Sequence, residues 1–328
     1  MDKKVYFRAD ASNVIGYGHF VRTLALADML KDNFDCKFFT QDPTKFQESQ
    51  MAKVCSYQAL PSDESKFNRF LEYLNGDEIV VLDNYFFATD YQQAIKGKGC
   101  NLVCIDDLHN KHFVADAVIN HSLGIKKEDY SKESYTQLFL GLDYSLLRKP
   151  FLDALASSYK SDESPKRMKV LVSFGGADVY NIARNISTQL SSLDNIEDID
   201  LITIDKSLAT ISPKVSCHTN LSAEQMKNLI CKNDIAVIPS STIMKEAIAC
   251  GINIIGGYFA ENQLNSYAQF SKYNAIQGFG DLRDPINIAN LVKFFSSGEV
   301  YNMRLTKNII PCTVKAVSYT HLTLPTIC

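Results

Sequence analysis

The sequence predicts an α/β protein built from two doubly wound lobes, and three observations predict it. Strand-like apolar runs alternate with longer amphipathic stretches, which calls for crossover connections and a mostly parallel sheet. The alternation is played out twice, and a polar segment rich in Ser, Lys and acidic residues separates the two halves. The length, 328 residues, suits two lobes of roughly 150 residues each.

In the first half the expected strands are Val5–Arg8, Cys36–Thr40, Ile79–Asp83, Leu102–Asp106 and Ala117–Asn120. Between them run helical stretches such as Phe20–Lys31, with apolar residues at Leu24, Leu26, Ala27 and Leu30, and Glu64–Leu74. The second half repeats the plan. Val170–Phe174 is a strand, Gly175-Gly176 a turn, and a helix starts near Asn181; then come Asp200–Ile204, a helix near Ser222–Ile230, Ile235–Pro239, a helix near Ile243–Ala249, and Ile252–Ile255. The expected boundaries are an N-terminal lobe over 1–153, a linker over 154–167 and a C-terminal lobe over 168–316. Two such lobes place a ligand in the cleft between them, at the carboxyl ends of strands. Residues 317–328, VSYTHLTLPTIC, fit neither lobe and resemble a translated sequencing-adapter read-through, so no chemistry is assigned to His321 or Cys328.

Hydrophobic residues make up 46% and charged residues 22% of the chain, enough apolar matter for a core in each half. A formal net charge of −3 argues against nucleic acid or an anionic membrane as partner, since their binding needs a clear excess of Lys and Arg. The opening MDKKVYFRAD reads as a strand and not as a signal peptide, and no run approaches the roughly 20 apolar residues that span a bilayer, so a cytoplasmic protein is expected. The nine cysteines are scattered with no CxxC pair, and Cys36, Cys104 and Cys250 sit in apolar runs. They read as reduced thiols serving as small hydrophobes, without a structural zinc site.

The densest chemistry lies in Arg8-Ala-Asp10-Ala-Ser12-Asn-Val-Ile-Gly16-Tyr-Gly18-His19-Phe-Val-Arg22. A strand ends, a Gly-x-Gly turn follows, and a helix begins at or just after His19. Glycine opens backbone angles closed to other residues, and the first amides of a helix hold a phosphate or an oxyanion. The dinucleotide fingerprint is absent, because His follows the second glycine. A histidine here either acts as a general base, for which its near-neutral titration suits it, or caps and packs on the helix.

The pattern R-x-D-x-S-x-x-I-G-x-G-H-x-x-R resembles the N-terminal signature of the UDP-2,4-diacetamido-2,4,6-trideoxy-β-L-altropyranose hydrolases of pseudaminic acid biosynthesis. These are similar in fold to the GT-B glycosyltransferases, particularly the N-acetylglucosaminyltransferase of peptidoglycan synthesis. Further blocks follow in colinear order from Val5 to about Tyr273. Leu82-Asp83-Asn84-Tyr85 resembles a strand-end I-D-x-Y, and Ile105-Asp106-Asp107 resembles I-D-D. Gly141-Leu-Asp-Tyr144-Ser-Leu-Leu-Arg148 resembles G-x-x-Y-x-L-I-R, and Ser173-Phe-Gly175-Gly176-Ala-Asp178 resembles M-G-G-T-D. Ser240-Ser241-Thr242-Ile-Met-Lys-Glu246-Ala247 resembles S-S-x-x-x-E-A, and Glu261-Asn262-Gln263 resembles K-N-Q. The chain departs where the family's I-D-H-Y histidine is Asn84.

The resemblance implies a GT-B-like fold of two Rossmann-like lobes that hydrolyses a UDP-linked 2,4-diacetamido-2,4,6-trideoxy hexose to UDP and free sugar. It implies His19 as the base that activates water, with inversion at the anomeric carbon, Tyr85 against the sugar, and Asn262 near the diphosphate or sugar. Gly16, Gly18 and Arg22 in the N-terminal lobe, and Gly175, Gly176, Ser240, Ser241, Thr242, Glu246 and Gln263 in the C-terminal lobe, are then the expected substrate and UDP contacts. Chemistry supports several of these. Gly175-Gly176 lets the main chain approach a diphosphate and Asp178 can cap the next helix, while Ser240, Ser241 and Thr242 offer hydroxyls and helix-start amides. Glu246 lies a turn further in, where a carboxylate can accept from ribose hydroxyls. Asp10 is expected to bond within its own strand end.

Asp83, Asp106 and Asp107 invite a metal reading. Adjacent carboxylates on a strand point to opposite faces, so neither a metal nor another cofactor is expected. The histidines His109, His112 and His121 read as local or solvated. No obligate protein partner is implied. The rivals are a GT-B glycosyltransferase using the same donor, a non-catalytic nucleotide-sugar binding protein, and a C2-epimerising UDP-sugar hydrolase on a related fold.

Overall fold

The computed structural model describes residues 3–12, 16–155, 167–175, 178–306 and 309–311. The expected linker, apart from its two ends, and the expected read-through tail lie outside the described residues. The chain divides into two compact units that meet in sequence at Lys149 and Pro150.

The first unit carries strands Lys4–Ala9 (β1), Asp35–Gln41 (β2), Ser56–Leu60 (β3), Ile79–Asp83 (β4), Asn101–Ile105 (β5), the short His112–Phe113 (β6), Ala117–Asn120 (β7), the short Ser131–Lys132 (β8) and Gln137–Leu140 (β9). Its helices are Gly18–Leu30 (α1), Lys45–Met51 (α2), Ser65–Leu71 (α3) and Thr89–Gly97 (α4). Seven strands form one parallel sheet in the order β3-β2-β1-β4-β5-β7-β9, while β6 pairs with β8. Central strands of such a sheet are covered on both faces and so read as unbroken apolar runs. In β4, Ile79 and Val81 pack with Phe20, Leu26 and Leu30 of α1, and Val80 and Leu82 pack with Phe70 of α3 and Ile95 of α4. The odd residues of β4 therefore face α1, and Asp83, the last of them, shares that side.

The second unit carries helix Lys149–Leu155 (α5) at its junction, strands Met168–Ser173 (β10), Ile196–Ile202 (β11), Val215–His218 (β12), Ile235–Pro239 (β13), Asn253–Tyr258 (β14) and Gln277–Asp281 (β15), and helices Ile182–Ser191 (α6), Ala223–Lys232 (α7), Thr242–Ala249 (α8), Leu264–Lys272 (α9) and Pro285–Ser296 (α10). The six strands are parallel in the order β12-β11-β10-β13-β14-β15. Numbered within the unit this is the 3-2-1-4-5-6 order of a Rossmann sheet, and the first unit begins in the same way. Capping fixes several helix starts: Ser222 and Gln225 form a reciprocal box on α7, and Asp284 caps α10 ahead of Pro285 at its first position. In both units the order reverses between the first and fourth strands, and ligands of open α/β sheets bind outside the carboxyl ends at that reversal.

Several expected strands shift at their ends, two of them as follows. The run expected as Leu102–Asp106 ends at Ile105, leaving Asp106 in the following turn, and the strand expected at Asp200–Ile204 begins at Ile196 and ends at Ile202. Both shifts follow from pairing: β5 matches the register of β4, and β11 pairs along the whole of β10.

Candidate active site

In the first unit the reversal lies between β1 and β4, and the chain leaves β1 into the glycine turn. Gly16 has a φ of +82° and its amide donates to the Ser12 carbonyl at 2.8 Å, closing a tight loop that a side-chain-bearing residue would strain. The chain then enters α1 at Gly18, whose first turn receives no side-chain cap and no acidic residue. His19 and Arg22, one turn apart, lie on the same side of the helix and reach the end of β4.

Asp83 gathers this cluster. His19 Nδ1 lies 2.7 Å from Asp83 Oδ1. Arg22 donates from Nε and Nη2 to the same carboxylate at 2.6 Å each, and Thr23 Oγ1 donates at 2.8 Å. Arg22 Nη1 also reaches both oxygens of Asp107, at 2.6 and 2.7 Å. Burial alone would raise the Asp83 carboxyl, but Arg22 and His19 outweigh it and hold it below the ordinary carboxylate range. Burial likewise opposes the charge of Arg22, and Asp107 and Asp83 more than offset it. An ionised Asp83 so close to Nδ1 makes that nitrogen the proton donor. Arg22 Nη2 is 3.2 Å from the same nitrogen, but its shorter bond goes to Asp83. The Nε2 lone pair is thereby left as the ring's acceptor, and among the described residues it has no hydrogen-bond partner.

Tyr85, two residues past the end of β4, closes the arrangement. Its ring meets the His19 ring edge-on at 4.5 Å, and its hydroxyl donates to Asp107 Oδ2 at 3.1 Å. His19, Asp83, Arg22, Asp107 and Tyr85 thus form one connected group in which only Tyr85 is substantially exposed. Asp106 points elsewhere: it accepts from the His109 amide at 2.7 Å and from Tyr130 Oη at 3.1 Å. Burial is the main reason its carboxyl is raised above the ordinary value, with Asp107 adding to it. Asp10 is buried and pairs with Arg8, also accepts from the Gln41 amide at 2.7 Å, and has Lys66 at 3.7 Å. The position that departs from the family pattern, Asn84, bonds the Asp10 backbone in both directions, at 2.7 and 3.3 Å. Among the described residues, no group of three or more His, Cys, Asp or Glu side chains is gathered as metal ligands would be.

Of the sequence-predicted residues in this unit, the structure brings together His19, Arg22 and Tyr85 at the end of the Gly16 and Gly18 turn. Arg22, expected to contact the ligand, is buried, and its Nε, Nη1 and Nη2 all bond to Asp83 and Asp107. Its guanidinium fixes two carboxylates. Asp83 and Asp107 were noted in the sequence as parts of strand-end blocks and weighed as metal ligands, but not as partners of His19 and Arg22. That pairing follows from the strand order, which sets the end of β4 beside the end of β1.

The second unit holds the remaining candidates. Gly175, with a φ of +83°, follows β10, and Gly176 lies outside the described residues. The start of α6 is already capped: Asp178 accepts from the Ala183 and Arg184 amides at 3.1 and 3.0 Å. Burial holds the Asp178 carboxyl above its ordinary value despite those bonds. The start of α8 differs. Among the described residues, Ser241 occupies the cap position without a side-chain cap hydrogen bond, no acidic residue lies in the first turn, and the buried Ser240 Oγ has no hydrogen-bond partner. Thr242 opens the helix, and Glu246, one turn in, is buried. Gln263 closes its own turn, accepting from the Phe259 amide at 3.0 Å, while Asn262 in the same turn is exposed.

No known protein-family model matches the chain. It is 26% identical to an uncharacterized protein of Methanocaldococcus jannaschii over 82% of this chain, and it spans only 58% of that protein's length. It is 23% identical to the UDP-2,4-diacetamido-2,4,6-trideoxy-beta-L-altropyranose hydrolase of Campylobacter jejuni, over 82% of this chain and 96% of that one. Among solved structures, MurG of Acinetobacter baumannii superposes with a TM-score of 0.61 at 12% identity, covering 96% of this chain and 94% of the other. The S. aureus MnaA–UDP structure gives 0.62 at 10% identity over 96% and 94%. The calicheamicin glycosyltransferase CalG4 gives 0.59 at 10% identity over 98% and 94%. At such identities the likeness is one of fold, and the fold is GT-B-like: two Rossmann-like α/β units with parallel sheets.

Proposed function

We propose that the protein hydrolyses a UDP-linked 2,4-diacetamido-2,4,6-trideoxy hexose to UDP and the free sugar. The observation that carries this reading is the His19–Asp83 pair, with Nδ1 tied to the carboxylate and Nε2 available to accept a proton. A distant relative named as a hydrolase of this kind supports the substrate class. In the proposed step a water oxygen forms a bond to the anomeric carbon while His19 Nε2 takes its proton. The bond from that carbon to the diphosphate oxygen breaks, and its electron pair leaves with UDP. One displacement inverts the anomeric configuration. Asp83 sets the tautomer and stabilises the imidazolium that forms, the role a carboxylate plays behind a catalytic histidine.

The nucleotide is assigned to the second unit. Helix α8 offers uncapped amides beside the Ser240, Ser241 and Thr242 hydroxyls, a setting suited to phosphate oxygens. The start of α6 is less suited, because Asp178 holds two of its amides. Glu246 is assigned to the ribose hydroxyls, and Asn262 to the diphosphate or sugar. Charge on the departing diphosphate is then met by fixed dipoles and not by a metal ion.

The test is product analysis in ¹⁸O-labelled water with this UDP-sugar and no added acceptor. Free sugar carrying the label, with unlabelled UDP, is the expected result. Label in UDP would place the attack on phosphorus and overturn the mechanism. A glycosyltransferase would release UDP only once an acceptor hydroxyl was supplied, with the sugar joined to that acceptor as a glycoside and not set free, and a C2-epimerising enzyme would give a sugar of altered configuration by NMR.

A further inference from the structure

At the carboxyl end of the second unit's sheet three aromatic rings meet. Phe174 follows β10 and is buried, Phe259 follows β14, and their ring centroids lie 6.3 Å apart. Tyr180, in the turn before α6, packs its ring 6.1 Å from that of Phe259. Tyr180 is 54% exposed, and an exposed tyrosine alone is ordinary. This one is held from two sides. Arg283 donates to its hydroxyl, and that guanidinium is itself fixed by Asp281 through Nε and Nη2 at 2.9 and 2.6 Å. Phe259 is held as well, because its amide donates to Gln263 Oε1 at 3.0 Å. Rings fixed before binding offer apolar area with little entropy left to lose. An anion is not their partner, since the cation beside them is already paired with Asp281.

These rings adjoin the start of α8. Strands β13 and β14 are neighbours, with Pro239 opposite Gly257, and the Ser240 amide donates to the Gly257 carbonyl at 2.9 Å. Phe259 is two residues beyond Gly257, about 7 Å along an extended chain. Tyr180 lies beyond β10, the other neighbour of β13. The two rings thus come from the strands on either side of the one that leads into α8.

We propose that Tyr180 and Phe259 form a platform for the pyranose ring of the nucleotide sugar, met through its carbon–hydrogen face. The inference rests on the UDP-sugar reading above and adds to it where the sugar ring is held. The sugar is bonded to the distal phosphate, so a diphosphate at the start of α8 brings the ring to the adjoining strand ends. Its carbon-bound hydrogens carry the slight positive charge that an aromatic face attracts. A 6-deoxy sugar presents a methyl group where a hexose has a hydroxyl, and so gives up less hydration on such a surface.

The experiment measures dissociation constants by calorimetry for UDP and for the UDP-linked trideoxy sugar, alongside UDP release. Tyr180→Ala, a truncation at an exposed position, is expected to weaken the sugar nucleotide roughly three- to tenfold and to leave UDP unchanged. Tyr180→Phe keeps the ring and is expected to keep most of the affinity. Phe259→Leu preserves apolar volume without the aromatic face, and a loss like that of Tyr180→Ala is expected, again for the sugar nucleotide alone. Equal losses for UDP and the UDP-sugar in Tyr180→Ala would assign the rings to the base and overturn the sugar platform. Affinities that neither Tyr180→Ala nor Phe259→Leu alters overturn it as well, even where UDP is released. A loss confined to the UDP-sugar, without UDP release by wild type, upholds the platform and overturns hydrolysis instead. Absence of wild-type binding to both compounds overturns both readings.

Discussion

His19 Nδ1 lies 2.7 Å from Asp83 Oδ1, and the oxygens of that carboxylate also accept from Arg22 and Thr23. A carboxylate with four donors around it stays ionised and keeps its direction, and so does the imidazole hydrogen-bonded to it. Arg22 is held on its far side by Asp107, which Tyr85 also contacts, so the orientation of one ring is fixed through three further side chains. Such charge clusters are costly to bury, and they serve where geometry must be held.

Asp83→Asn tests that reading. The amide can hold the ring with its oxygen or lose the bond, but it no longer stabilises an imidazolium, so turnover is expected to fall by about 10²- to 10⁴-fold. UDP affinity, assigned to the other unit, should change little. Turnover within a few-fold of wild type, in a variant whose circular dichroism is unchanged, would remove Asp83 from the mechanism.

The two strand-end carboxyls Asp83 and Asp106 should respond to pH in opposite senses. The folded value of Asp83 is depressed, so its stabilisation is present above the unfolded carboxyl value of about 3.9 and is lost as pH falls through the lower folded value. The folded value of Asp106 is raised, so its favourable contribution is present below the unfolded value and is lost as pH rises through the folded one. Melting temperatures measured from pH 3 to pH 7 should therefore show the deficit of Asp83→Asn growing with pH. Asp106→Asn, which keeps an acceptor for the His109 amide and Tyr130 hydroxyl, should gain on wild type over the same range. Parallel curves for the two variants would contradict both assignments.

The central strands were legible because each is buried on both faces and reads as a continuous apolar run: Ile79–Asp83, Ala117–Asn120 and Ile235–Pro239 match the sequence reading end for end. The edge strands β3 (SYQAL) and β12 (VSCH), and β15 (QGFGD), were not anticipated. Each is only partly buried and carries polar residues among few apolar ones, so no run betrays it. At the site, the Gly16-x-Gly18-His19 turn by itself left His19 open between a base and a residue that caps or packs on the helix, and the roles proposed for His19 and Tyr85 came from the resemblance. The bonds of Arg22 were not legible, because its partners Asp83 and Asp107 are 61 and 85 residues away in sequence. Only the adjacency of β1 and β4 makes those partners visible.

Removal of divalent ions should leave activity intact. Asp83 and Asp107 are both committed to Arg22, and Asp106 to an amide and a hydroxyl, so no two of them present free oxygens to one ion. Turnover measured in excess EDTA is expected to equal that of untreated protein. Loss of turnover with chelator, restored by Mg²⁺, would revive a metal role for these carboxylates.

Glu246 tests the nucleotide assignment. Its carboxylate lies one turn inside α8, and if it accepts from ribose hydroxyls then Glu246→Ala should weaken UDP binding by about 1–3 kcal/mol. UDP should also raise the melting temperature of wild type, since a ligand selective for the folded state stabilises it by mass action, and this shift should shrink in the variant. Unchanged affinity by calorimetry would remove the ribose role.

The mechanism stands on His19 itself. A positioned base contributes about 10²- to 10⁴-fold to rate, so His19→Ala should lose at least that order of turnover. UDP affinity should be unaffected, which separates a loss of chemistry from a loss of nucleotide binding. His19→Asn is the sharper variant, because an amide can still hydrogen-bond a water but cannot take its proton, and it should be impaired as severely. A histidine base gives the pH–rate profile an ascending limb, which should vanish from the residual activity of both variants. Should His19→Asn retain most of its turnover with a normal fold, the proton must go elsewhere. His121 is then a poor substitute, since its Nδ1 accepts from the Leu146 amide at 3.1 Å and the ring is buried. Asp10 is bound by Arg8 and the Gln41 amide. With both alternatives engaged in the fold, retained activity in His19→Asn would overturn general-base hydrolysis at this site altogether.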